Sequence, residues 1–419
     1  MTLVIQGGNR AVATPAAARP LPSRFRPRKR RQFLRSERYQ QRRDQNLAWR
    51  AQDVIAGVGL VTRQSSIASG QAVAIPHVTH INHGPPLTVT VRTLPGQRPA
   101  DYEAEAPRIA VNLGVARIRV VPVDRATLQI ELLEFDPLRE TIEVPRQALV
   151  DPRSDLLLLG VDDVGNRYRT APLDLVHLAV QGATGSGKSI FIYGLIAQLV
   201  RCPDVLIGGC DPTGLLLRPF EGTPHANWQT SGTREPQAHV RALERLVTEM
   251  DRRIANLPPR RDQVDITKDC PLIFFVLEEY PGLLRACDDG KRSGGRVDRI
   301  KLLVGRLIAE GRKAGIRLVI LAQRFEAAIV DGYTRDQCTV RLSFRVGNAS
   351  SIEMLHPDGR DVADEHAIAP PGVALLSAPG VPLVRIKSPY LGHDDEDTAY
   401  GRYWDLVTAH AACPAQHAG

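Results

Sequence analysis

Eight consecutive residues constrain this chain more than any others: Gly182, Ala183, Thr184, Gly185, Ser186, Gly187, Lys188 and Ser189 fit the pattern G-x-x-x-x-G-K-[ST]. Ahead of them runs the apolar stretch LVHLAVQ at 175–181, which reads as a strand, and behind them IFIYGLIAQLV at 190–200, which reads as a helix. A glycine-rich turn between a strand and a helix lets successive backbone N–H groups point inward around a polyphosphate, and the helix dipole adds positive potential at the same place. Lys188 is expected to reach the β- and γ-phosphates, and the Ser189 hydroxyl to ligate magnesium. A glycine-rich turn that merely happens to match is the competing explanation, and the flanking strand and helix weigh against it.

The surrounding rhythm agrees. Apolar runs at 174–180, 205–210, 272–277, 316–322 and 338–346 alternate with helical patterns at 189–200, 236–256 and 296–313. That alternation predicts an α/β fold, a mostly parallel sheet wrapped by helices, over 160–391. Upstream, LTVTVRT at 87–93, a helical face of Tyr102, Ala106, Ile109, Ala110 and Leu113, and strands at 116–122 and 127–134 predict a small α+β domain over 85–135. Residues 46–84 and 136–159 read as linkers, the former with a partly helical stretch, and 392–419 as a C-terminal tail ending in a short, frayed helix.

The chain carries a net charge of +8, but its distribution is uneven. Arg24 to Arg43 holds ten basic residues against Glu37 alone, a surplus of nine that leaves −1 for everything else. Basicity therefore belongs to the tail over 1–45, whose Ala, Pro, Arg and Gln content cannot bury enough apolar surface to offset chain entropy and predicts disorder. Such a cluster can displace counterions from nucleic-acid phosphates or touch anionic lipid, or it can be a solvated tail with no partner. The six cysteines show no metal-ligand spacing and read as reduced thiols, and no run of 18 apolar residues or secretory leader is present, so a cytoplasmic location is expected, including one peripheral to the inner membrane face.

Downstream, PLIFFVLEEY at 271–280 is an apolar strand ending in two carboxylates. Side chains alternate along a strand, so Glu278 and Glu279 point differently, one toward a metal and its waters and one toward an attacking water. Glu278 is assigned to the metal with Ser189, and Glu279 to the base. Alternatively the pair caps the turn that Pro281 and Gly282 begin. The strand IRLVILAQR at 316–324 ends in Gln323 and Arg324; a polar group there could sense the γ-phosphate, or could simply be leaving a buried strand for solvent.

Taken together, GATGSGKS, the aliphatic strand closing in Glu-Glu, GRKAGIRLVILAQR at 311–324 and VRLSFRVGNASS at 340–351 resemble the motor of the FtsK/SpoIIIE family. The resemblance covers 160–390 and implies a RecA-like P-loop NTPase fold, ATP and magnesium as cofactors, a homo-hexameric ring and translocation of double-stranded DNA. The string Glu-Glu-Tyr-Pro-Gly-Leu at 278–283 is similar to actinobacterial plasmid-transfer translocases of the TraSA/TraB kind, which places the chain in conjugation or chromosome segregation. Glu278 stands where the family usually has Asp, and Thr213 where Lys or Arg is common. The family's membrane anchor is not seen here, which points to a membrane-anchored recruiting partner. The resemblance also implies an arginine acting across the subunit boundary: Arg345, with Arg312 and Arg341 as rivals. A protein-moving ATPase of the type VII secretion kind shares this motor and is the alternative, and a nucleotide-gated scaffold that hydrolyses little is a third reading.

Overall fold

Parallel strands buried on both faces need side chains that are apolar at most positions, and five runs of this chain meet that demand, with Gln181, Asp211, Arg317, Arg341 and Ser343 as their polar members. In the computed structural model they are β1 (Leu178–Gln181), β2 (Val205–Asp211), β3 (Leu272–Leu277), β4 (Ile316–Ala322) and β5 (Val340–Phe344). They lie side by side in the order β5-β1-β4-β3-β2, all parallel, with the short strand Gln229–Ser231 parallel beyond β2. Residues 4–6, 27–66, 70–84, 86–291, 294–325, 332–392 and 398–411 are described.

The side chains of these strands divide between two cores. Leu178, Val180, Phe274, Val276, Val319 and Leu321 face α1 (Lys188–Leu199), while Ala179, Ile273, Phe275, Leu277, Leu318 and Ile320 face α2 (Pro236–Ala255) and α3 (Arg296–Glu310). α1 is apolar nearly all round, as a helix between a sheet and further structure must be. Its far side meets Tyr403 and Val407 of the helix Ala399–Ala411, both completely buried. The expected tail therefore contains a helix built into the core, because Tyr403 and Val407 sit four apart and share one face.

Beyond β5 the sheet continues as an antiparallel wing: Val373–Ala378, Val381–Lys387, Leu157–Asp162, Arg167–Thr170 and Val4–Gln6, eleven strands in all. The α/β class is as expected, with the parallel part confined to six strands. The wing corrects the expected linker over 136–159. Every residue of Leu157–Asp162 is buried, and Val144 and Leu149 are buried in the core. Pro137 and the polar residues before 155 hid this from the sequence, since a strand buried on both faces shows no alternation.

The chain divides into two compact units, Met1–Gly7 with Thr141–Gly419, just described, and Gly8–Glu140. The second unit has a four-stranded antiparallel sheet in the order His77–Asn82, Leu87–Arg92, Thr127–Leu133, Arg117–Pro122, with a separate hairpin of Thr62–Ser66 and Gly70–Ala74. Along Thr127–Leu133, Leu128, Ile130 and Leu132 alternate into its core with Val89, Val91, Tyr102 and Ile109. The helical face expected to run from Tyr102 to Leu113 is divided between two helices, Pro99–Ala104 and Ala106–Leu113, because Pro107 has no N–H to donate and its ring crowds the preceding turn. The strand His77–Asn82 replaces part of the expected linker; only Val78 of its six residues is buried, too little for a visible alternation.

Helix Pro27–Gly57 runs through the second half of the stretch expected to be disordered. From 28 to 56 it holds no Pro or Gly and is rich in Arg and Gln, good helix formers, and Ala51 and Ile55 anchor its C-terminal end in the core of this unit. The expectation of disorder over 7–26 lies outside the described residues.

Candidate nucleotide site

Because β1, β4 and β3 are parallel neighbours, their C-terminal ends leave the sheet at one edge. Gln181 is opposite Ala322, and Leu277 is opposite Ile320, so Gly182, Gln323 and the Glu278–Glu279 pair emerge together. The loop at 182–189 is pinned on both sides: Gly182 N lies 3.2 Å from both the Ala322 and the Gln323 carbonyls, and Ala183 N donates to the Arg345 carbonyl at 2.9 Å. Ser186 N turns back to the Ala183 carbonyl at 3.1 Å.

Two of the three loop glycines have backbones that favour glycine, Gly185 at φ +75° and Gly187 at φ +104°. A Cβ at Gly187 would fall 2.5 Å from Gly372 N, and one at Gly182 would fall 2.7 Å from the Phe344 Cβ. The Ser186 carbonyl accepts from Gly372 N at 2.9 Å, so the antiparallel wing buttresses the loop. Thr184, Gly185 and Ser189 are exposed at its mouth.

Lys188, the first residue of α1, forms an ion pair with Glu279: Nζ to Oε2 is 3.1 Å, with both side chains largely buried. The other oxygen of Glu279 accepts from Gln323 N at 3.4 Å. Three residues singled out separately in the sequence thus meet at one point. Glu279 is also the residue before helix Tyr280–Ala286, but its side chain makes no capping hydrogen bond, so the turn-capping alternative does not describe it. Its backbone is left-handed at φ +45°, ψ 60°, a conformation disfavoured for any side-chain-bearing residue and one that aims its carboxylate at Lys188.

Glu278 points elsewhere. Its Oε2 is buried without a hydrogen-bond partner, and burial, then the nearby Asp211 carboxylate, push its pKa up to about 7 despite Lys188. An orphaned, partly neutralised carboxylate beside a phosphate loop fits a divalent cation, which would restore the missing partner and the charge. Among the described residues no group of three or more His, Cys, Asp or Glu side chains could hold a metal alone. Magnesium held by Ser189 and Glu278 would need phosphate oxygens to complete its shell.

Asp211, at the end of β2, was not singled out in the sequence. It is fully buried and accepts from Thr213 Oγ1 at 2.7 Å, Gly214 N at 2.9 Å and Leu217 N at 3.1 Å, shaping the loop that contains Thr213. Asp-Pro-Thr-Gly is a turn signal that could have found it. A cleft of about 510 Å³ opens beside Glu279 and Gln323, lined also by Ala183, Arg285, Arg324 and Asn348.

The three candidate arginines separate by position. Arg345 is held against its own Ala183 through its carbonyl, and Arg341 donates to the Cys338 and Leu355 carbonyls and pairs with Asp336. Arg312 lies at the opposite edge of the sheet, just before β4, where its carbonyl accepts from Arg317.

A glycine-rich loop between β1 and α1, with an acid-ended strand two places away in the sheet, defines a P-loop NTPase fold. Residues 145–263 match the FtsK/SpoIIIE family. The chain is similar to the DNA translocase FtsK of Campylobacter jejuni, 27% identical over 269 residues, which cover 60% of this chain and 26% of that protein. It spans about a quarter of the length of such relatives. In structure it is similar to the pCW3 conjugation coupling protein TcpA in its monomer form with ATPγS, at a TM-score of 0.53 and 16% identity over 86% of this chain and 99% of that one. It also resembles EssC (ATPases 2 and 3) from Geobacillus thermodenitrificans, with a TM-score of 0.51, 15% identity, and 66% and 53% coverage.

Proposed function

We propose that this chain binds ATP with magnesium, hydrolyses it, and uses the cycle to move double-stranded DNA through a ring of six copies. The observation that carries the reading is the convergence of Lys188, Glu279 and Gln323 at the mouth of the phosphate loop. In this scheme the loop amides and Lys188 hold the triphosphate, Ser189 and Glu278 hold magnesium, Glu279 activates water, and Gln323 reads the γ-phosphate. Arg345 is the proposed arginine acting across the subunit boundary, with Arg312 and Arg341 as rivals.

Similarity to FtsK translocases supports duplex DNA as the cargo, and the basic stretch at 24–43 would tether it through phosphates. Plasmid transfer or chromosome segregation is the setting, at the cytoplasmic face of a membrane with an anchored recruiting partner. Among the described residues no helix is long and apolar enough to cross a membrane.

The test is ATP turnover by the full chain with and without duplex DNA at low salt. Stimulation by duplex is expected, and turnover indifferent to it would remove DNA from the reading. Run with a secretion-signal peptide in place of duplex, the same assay tests the protein-moving alternative: a response to peptide alone would replace the DNA motor.

A further inference from the structure

Gln181 is the residue immediately before the phosphate loop, and it is fully buried. Its amide Nε2 donates to Ser343 Oγ of β5 at 2.7 Å and to the Ser351 carbonyl in helix Ala349–Leu355 at 2.8 Å. Its Oε1 accepts from Phe325 N at 3.0 Å, two residues past Gln323. The amide orientation is fixed by these partners, since the reversed one would set an oxygen against the Ser351 carbonyl and an N–H against the Phe325 N–H.

One side chain thus joins the base of the phosphate loop to the two strands flanking β1 and to a helix beyond them. Ser351 and Asn348, at the start of that helix, line the cleft beside Glu279 and Gln323. From Ser343 Oγ the chain of bonds continues to His356 Nε2 at 2.9 Å, and from His356 Nδ1 to Ser377 Oγ at 2.9 Å. Burial, with Arg341 and His366 nearby, drops His356 to about 3, so the ring is neutral and can accept on one nitrogen while donating from the other. Ser377 and His356 border a separate cleft of about 320 Å³ with Asp336, Arg341 and Asp358.

We propose that Gln181 is a positioning residue that locks the Gln323–Phe325 segment and helix Ala349–Leu355 to the phosphate loop, so that the state of the γ-phosphate is transmitted to that helix. The proposal rests on the reading of the site as an ATPase. Buried polar networks of this kind have discrete arrangements rather than a continuous range, because each unpaired member would be left without water. A shift of Gln323 on loss of the γ-phosphate moves Phe325 N, and the amide of Gln181 carries the displacement to Ser351.

The test compares the full-length protein with Gln181→Met, similar in size but unable to donate or accept these bonds, and with Ser343→Ala, which removes the Gln181–Ser343 bond and the link onward to His356 but leaves the bonds of Gln181 to Ser351 and Phe325. Three quantities are read: ATPγS affinity, kcat, and amide hydrogen exchange over 349–355 with ATPγS against ADP. In Gln181→Met, affinity should stay within about threefold while kcat falls about tenfold or more, an effect of one or two buried hydrogen bonds. The parent should show an exchange difference between the two nucleotides and Gln181→Met should lack it; a parent that binds ATPγS without such a difference would overturn the proposal. Ser343→Ala should fold normally, bind like the parent, and lose about threefold in kcat. A Gln181→Met protein that is merely less heat-stable, with kcat and the exchange difference intact, would overturn the proposal, as would a Ser343→Ala protein indistinguishable from the parent. A parent protein that binds no ATPγS would instead strike at the ATPase reading itself.

Discussion

Lys188 Nζ stands 3.1 Å from Glu279 Oε2, so the cation expected to hold the terminal phosphates is paired with the carboxylate expected to activate water. Both are largely shielded from solvent, so the pair is stronger than an exposed one and a triphosphate must compete with it. In the proposed scheme binding and base activation would be linked, since a phosphate that claims Lys188 would also release Glu279.

Glu279→Gln separates the two effects. Lys188 loses its ionic partner and the γ-phosphate loses a repelling charge, so nucleotide affinity should rise about threefold to tenfold, or roughly 1 kcal/mol. Hydrolysis should fall about 100-fold or more with the general base gone. Fluorescent-nucleotide titration and steady-state turnover check both, and a variant that binds less tightly than the parent would contradict the linkage.

Glu278 predicts a pH dependence. Its pKa of about 7 lies above the ordinary value of 4.5, so it is mostly protonated below pH 7 and magnesium must displace that proton. Magnesium affinity in the presence of nucleotide should therefore rise as pH increases from 6 to 8. Stability of the metal-free protein runs the other way. Between the unfolded and folded pKa values the folded state binds more protons, so stability falls as pH rises through this window and is lowest above 7. Glu278→Gln should stabilise the metal-free protein at pH 8 by about 1–3 kcal/mol while weakening magnesium binding, an outcome measurable by denaturant melts and metal titration.

The loop glycines should respond unequally to alanine. Gly187→Ala puts a Cβ against the Gly372 backbone at a left-handed φ, and should cost about 3 kcal/mol or more along with nucleotide binding. At Gly185 nothing lies within 4 Å of the same atom, so alanine there meets only the backbone penalty of about 1 kcal/mol. Thermal melts of the two variants, with ATPγS binding alongside, order them; equal losses would mean that contact with the wing does not shape the loop.

Much of the site was legible because its parts are local. The phosphate loop needs glycines at set intervals, and β3 needs six apolar residues followed by acids; each is a contiguous string that declares itself. The antiparallel wing and the helix Ala399–Ala411 were not read in the same way. Leu157–Asp162 is buried on both faces and shows no period, and a short helix earns its place only through what Tyr403 and Val407 touch. Pro107 was visible, but the break it imposes was outweighed by the regular spacing of the apolar residues around it.

By itself the sequence determined the parallel strands β1 to β5, the helices between them and which segments carry phosphate-binding and acidic chemistry, because periodicity and motif are properties of neighbouring residues. Only the tertiary structure decided that β4 lies between β1 and β3, and hence that Gln323 meets Glu279 and that Gln181 reaches Phe325, Ser343 and Ser351, which are 144, 162 and 170 residues further along the chain. An apolar run records that it will be buried, not which strand will lie beside it; strand order is settled by how all the runs share two cores at once.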